Sequence, residues 1–209
     1  MKFLFSIVLI TLTVLTVCGQ FFEGKIVYQH SFKSKLPNMS DTQLTSSMGS
    51  KQEYLIKGGN YKTVSNGTSF LGQIYMNKDN KLYNKFSHSE TILWIDGGRV
   101  DDPVLEIAHN KDVTEILGYK CDELILKSKS QTEKFYFNSK LGVDIDLYSK
   151  HLLGNWYEYL KVAKALPLKT VIDNHQFTMI GIATEIKAMK VDDKQFQLPP
   201  NAKIAKSPN

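Results

Sequence analysis

The sequence predicts a mainly β (β-rich α+β) fold, a curved antiparallel sheet or half-barrel of about ten strands with one amphipathic helix packed on its concave side. Three observations carry this. From Glu23 onward, apolar and polar residues alternate with a period of two, broken by turn residues. Only the stretch near 155–165 shows the three- and four-residue spacing of an amphipathic helix. The strand-like runs are joined by short turns, which suits hairpins rather than helical crossovers. A chain of 209 residues, 42% hydrophobic and 22% charged, suits one domain, expected over 20–209.

Taken in order, "MKFLFSIVLITLTVLTVCG" (1–19) has one lysine, an apolar stretch and small residues near Gly19, and reads as a secretory signal. An uncleaved anchor is the competing reading, since Phe21 and Phe22 extend the apolar run. Cys18 has two readings, a lipidated cysteine tethering the mature protein to a membrane or part of a small-residue cleavage site. Membrane contact is expected only in the first case. The signal implies export to the periplasm or cell envelope of a Gram-negative bacterium, or secretion.

"FEGKIVYQHSF" reads as the first strand, and Ser40 or Asp41 can cap a short helix after it. Gly58-Gly59-Asn60 marks a tight hairpin. Further turns are expected at Asn77 to Asn80, at Gly97-Gly98, at Gly118 and near Ser130. In "GNWYEYLKVAKALP", Trp156, Tyr159, Leu160 and Ala163 share a helix face. Asn155 with Glu158 resembles a capping box, and Pro167 is expected to end the helix. In "FTMIGIATEIKAMKV", Ile180, Ile182 and Ile186 share one strand face, and "VDD" (191–193) reads as a cap for the turn "DDKQF".

The formal charge is +5 with Arg99 as the single arginine, a poor composition for reading nucleic acid, which draws on the arginine fork. His30, His88, His109, His151 and His175 lack metal-ligand spacing and read as surface histidines, and neither HExxH nor CxxC is present. "GTSFLG" (67–72) is one residue too long for a nucleophile elbow. Asp144 and Asp146 in "GVDIDLY" would project on one side of an extended strand, where they could bind a cation or simply face solvent. Cys121 reads as a small buried hydrophobe next to a turn. No catalytic residue, metal ligand or cofactor is expected. Tyr75, Tyr83, Phe86, Trp94, Tyr119, Phe135 and Phe137 all fall in strands. They either fill a core or line a cavity between sheet and helix.

"ILGYKC" (116–121), "ALPLKTVI" (165–172) and "ATEIKAMKVDDKQFQLPPNAKI" (183–204), in that order, resemble uncharacterised exported Bacteroidota proteins classed as a domain of unknown function, near the LolA/LolB lipoprotein-carrier superfamily. "KALPLKT" lacks the two glycines of the related "GLPGLI" subfamily. The resemblance implies a half-barrel with a helix in its open side, a cavity that in LolA and LolB takes lipid chains, and no functional residue that can be carried over. The expected function is non-enzymatic binding of an apolar ligand, a lipid or an acylated protein partner. The residues placed at that site are Phe135, Phe137, Trp156, Tyr159, Leu160, Ile180 and Ile182. A structural or interaction module with a filled core is the alternative, and a hydrolase using Asp144 and Asp146 stands behind both.

Overall fold

The computed structural model describes residues 21–208; the expected signal and Cys18 lie outside the described residues. Twelve strands form one open, curved sheet. They are β1 (Gly24–Ser34), β2 (Lys51–Lys57), β3 (Asn60–Ser65), β4 (Phe70–Met76), β5 (Lys81–Phe86), β6 (Ile92–Asp96), β7 (Glu106–Ile116), β8 (Tyr119–Lys127), β9 (Gln131–Gly142), β10 (Ala165–Asn174), β11 (Phe177–Ala188) and β12 (Ile204–Lys206). Two α-helices accompany them, α1 (Asp41–Met48) and α2 (Trp156–Ala163). Across the sheet the order is β12, β6, β5, β4, β3, β2, β1, β11, β10, β9, β8, β7.

The strand-rich architecture is the expected one. The first strand lies in the middle of the sheet, with a meander on each side. β2 to β6 add successively on one flank of β1, and β11 back to β7 on the other. Gly58, at φ 54°, turns β2 into β3, and Leu117 and Gly118, both at positive φ, turn β7 into β8. Ser40 caps α1, accepting from the Gln43 N–H while the Gln43 side chain accepts from the Ser40 N–H.

Four expectations are corrected. Gly97-Gly98 does not form a hairpin, because β6 and β7 lie on opposite arms of the sheet and the chain leaves at Gly97 to cross between them. The sheet is not wholly antiparallel, since the C-terminal tail returns and β12 pairs in parallel with β6. Pro167 does not end α2; the helix stops at Ala163 and Pro167 sits inside β10 at a register irregularity, where a missing N–H is tolerated. Asn155 adopts a left-handed conformation (φ 56°) without capping α2 through its side chain, and instead donates from Nδ2 to Glu133 Oε2 at 3.1 Å.

The main core lies on the concave face. The connection from β9 to β10, which contains α2, drops into one half of the trough and buries Tyr159, Leu160 and Ala163. Tyr159 packs against Phe135 with the rings tilted, their centres 4.3 Å apart, and donates its hydroxyl to the Ala165 carbonyl at 2.7 Å. Each such fully buried side chain contributes about 1.5–3 kcal/mol of transfer free energy. A smaller cluster of Met76, Tyr83 and Ile92 lies on the convex face, covered by Leu198 and Ala202 of the tail.

Candidate functional site

The other half of the trough is not filled. A groove of about 560 Å³ runs between the two arms. One wall is Tyr28, His30 and Phe32 of β1 with Phe177, Met179 and Gly181 of β11 and Thr170 and Ile172 of β10. The opposite wall comes from β2, β4, β5 and β6, including Gln52, Tyr54, Phe70, Gln73, Asn84 and Phe86, with Trp156 of α2 at one end and Met48 of α1 nearby. This size lies within the roughly 300–1,000 Å³ of small-molecule sites, as does its mix of many apolar and few polar groups.

Alternation explains which side chains face inward. Tyr28, His30 and Phe32 are two residues apart on β1 and project to the same face. Their partners on β11 are Ala183, Gly181 and Met179. A Cβ at Gly181 would stand 2.8 Å from the His30 ring, so a larger residue there needs that ring to move. Phe32 meets Phe177 and Phe70 meets Phe86 edge to face, centroids 5.9 Å apart in both pairs.

Among the described residues, the lining contains no Lys, Arg, Asp or Glu. His30 is its only histidine, and burial lowers it from 6.5 to about 4, so the ring is neutral at neutral pH. Tyr28 donates to the Pro167 carbonyl at 2.7 Å. Tyr54 Oη and Trp156 Nε1, by contrast, are buried with no hydrogen-bond partner among the described residues. Burial, followed by the neighbouring tyrosines, raises the Tyr54 hydroxyl well above its usual value, so it is a neutral hydroxyl.

Of the seven residues expected at the site, Trp156 alone lines this groove. Phe135, Phe137, Tyr159 and Leu160 are brought together, but as the close-packed core beneath α2. Ile180 and Ile182 lie on the other face, 39% and 37% exposed. The cause is a bulge: Val27 pairs with Glu185 but Tyr28 with Ala183, leaving Thr184 extra in β11. The phase of the strand slips there, so Ile186 packs on the core while Ile180 and Ile182 face outward.

The remaining candidates resolve as structural. Asp144 does not lie on an extended strand beside Asp146; its carboxylate caps a short 3-10 turn over Ile145–Tyr148 by accepting from the Asp146 N–H at 3.2 Å. Asp192 caps the Asp193–Phe196 turn as expected. Cys121 is fully buried, and burial raises its thiol, consistent with packing. His151 is not a surface residue: it is 2% exposed, pairs with the Tyr61 hydroxyl at 2.8 Å and stacks on Tyr75 at 4.0 Å. A hollow of about 810 Å³ beside the Asn77–Asp79 turn is edged by Lys78, Asp79 and Asp193 and has the character of a solvated cleft.

Sequence reasoning missed Phe32, Phe70, Ile172, Phe177 and Met179. The inward phase of β1 was a usable signal for Phe32, since Ile26, Tyr28 and Phe32 recur at even spacing.

No protein family model matches the chain, and no curated protein sequence matches it. Among solved structures, PNGF-II in its P21 and C2 crystal forms is similar, with TM-scores of 0.52 and 0.51 at 17% identity. The match covers 89% of this chain but 32% and 31% of those chains, so this chain spans about a third of the length of PNGF-II. An uncharacterised conserved protein from Thermus thermophilus follows at TM-score 0.48 and 8% identity, covering 88% of this chain and 91% of that one. LprF from Mycobacterium bovis gives 0.34 at 10% identity, covering 81% and 88%. At these identities, what this chain shares with PNGF-II is a fold.

Proposed function

We propose that the protein is a non-enzymatic, exported binding protein that holds an apolar ligand or the acyl chain of a modified partner in its half-barrel groove, as its resemblance to the LolA/LolB carriers implies. It would act in the periplasm or cell envelope of a Gram-negative bacterium. The observation that carries the reading is the uncharged, aromatic groove of about 560 Å³ left unfilled beside α2. A folded chain normally closes such space, because an unfilled apolar hollow forfeits packing on every wall. About ten methylenes buried there would contribute about 8 kcal/mol before ordering costs are subtracted.

Extraction and mass spectrometry of the mature protein purified from its own host tests this. The expected result is a co-purifying apolar species, reduced at least tenfold in Thr170→Trp, which fills the groove from β10. Protein that carries nothing and binds no hydrophobic dye would overturn the proposal.

A further inference from the structure

The groove is apolar but not uniformly so. Register places Tyr54 of β2 opposite Thr63 of β3, Thr63 opposite Gln73 of β4, and Gln73 opposite Asn84 of β5. Cross-strand partners share a face, so these four side chains form a polar row across the concave side of one arm. Gln52 stands one inward position along β2 from Tyr54. Thr63 is satisfied within the sheet, its Oγ1 accepting from the Gln73 N–H at 3.2 Å. The side chains of Gln52, Tyr54, Gln73 and Asn84 line the groove, as does Trp156.

An amide or hydroxyl is costly to bury without a partner, and native structures rarely leave one so. Tyr54 Oη and Trp156 Nε1 are two such atoms, but both are closed off from solvent among the core side chains, so the polar groups a ligand in the groove meets are the amides of Gln52, Gln73 and Asn84. Each amide can donate and accept. Together they suit a ligand with a hydrogen-bond acceptor. That acceptor has no cation to meet, because no lysine or arginine among the described residues lines the groove, and an ionised head buried there would lose its hydration uncompensated. Away from the row, Phe32, Phe70, Phe86, Ile172, Phe177 and Met179 form the apolar remainder.

We infer that the groove, if it binds an apolar chain as proposed above, selects one carried by an uncharged ester or amide, whose carbonyl seats against the side-chain amides of Gln73 and Asn84. The ligand class is then an acyl ester or an acylated amine rather than a free fatty acid.

Calorimetric titration of the full mature chain at neutral pH tests this with four probes of one chain length: decane, decanoic acid, methyl decanoate and N-methyldecanamide. The ester and amide are expected to bind about tenfold more tightly than decane, the scale of one or two net hydrogen bonds, and at least as much more tightly than the acid, whose ionised head meets no cation. In Gln73→Leu/Asn84→Leu the ester and amide are expected to lose about tenfold in affinity while decane binds at least as well. Should the double variant not fold, the probe series on the unaltered chain decides alone. Binding of the acid equal to or tighter than the ester overturns the inference and leaves the apolar-groove reading standing. Binding of none of the four, decane included, overturns the groove reading itself.

Discussion

Glu133 is 4% exposed in β9, an unusual place for a carboxyl. Burial raises it from 4.5 to about 7, against the lowering effect of amide donors from Asn155 and Gln131, and Asp102 adds to the rise. The sign of its effect follows from linkage. A folded-state value above the unfolded one means that folding favours the protonated form. Its stabilising contribution is therefore complete below about pH 4.5 and is lost as pH rises through about 7, a difference of about 3 kcal/mol. His30 and His151 act oppositely. Both are lowered to about 4 by burial, so the stability they carry is present above pH 6.5 and lost as pH falls through about 4. Wild-type unfolding therefore mixes the two trends, and Glu133→Gln separates them. Urea unfolding of both proteins is expected to show the variant gaining about 3 kcal/mol on wild type between pH 4.5 and pH 8. A difference that stays flat with pH would show that Glu133 is not held protonated.

Elements differ in how far they can be read from sequence, and β11 shows why. Its alternation is plain in the residues, and the strand is real. The phase of the alternation depends on one inserted residue, Thr184, whose hydroxyl bonds the Val27 carbonyl at 3.2 Å, and that pairing is made with a strand 157 residues earlier. Long-range register of this kind is invisible to a local window, so Ile180 and Ile182 were expected inside and stand outside. The same limit applies to Gly97-Gly98, which reads like Gly58-Gly59 although the two lead to different partners. Asn155 carries a capping pattern locally, but Glu133 on another strand claims its side chain. α1, the β2–β3 turn and the apolar face of α2 depend on contacts within a few residues, and these were legible. The groove was legible as a possibility and not in its membership, because its walls come from both arms. An energetic consequence distinguishes the two faces. Phe135→Ala, beneath Tyr159, is expected to cost about 3–5 kcal/mol, and Ile182→Thr, on the outer face, less than about 0.5 kcal/mol. Denaturant midpoints of the two variants check this, and comparable losses at both sites would contradict the placement of the bulge.

At the scale of the whole molecule, the two arms are fastened together unequally. On the side of α2, the Gly97 carbonyl accepts from the Leu152 and Leu153 N–H groups at 2.7 and 2.9 Å. Asn80 Nδ2 donates to the Lys150 carbonyl at 2.9 Å, and the Tyr148 hydroxyl to the Gly58 carbonyl at 2.9 Å. These bonds tie the β2–β6 arm to the segment that connects β9 to β10. On the groove side, the arms meet chiefly through the shared seam of β1, and Phe70 and Phe86 face Ile172 and Met179 across open space. A ligand filling that space touches both arms at once, so its binding energy opposes their separation. At a free concentration about a hundred times its dissociation constant, ligand is expected to raise the unfolding free energy by about 2.7 kcal/mol. Amide hydrogen exchange should then slow in β4 and β5 and also in β10 and β11, because the fluctuation that exposes either pair must first break contacts to the bridging molecule. A ligand seated on the convex face, between the tail and β3 to β5, would protect the first arm alone against local opening, while any bound ligand slows the amides that exchange by global unfolding. Protection of locally exchanging amides confined to one arm therefore places the ligand outside the trough, and such protection of both arms places it within.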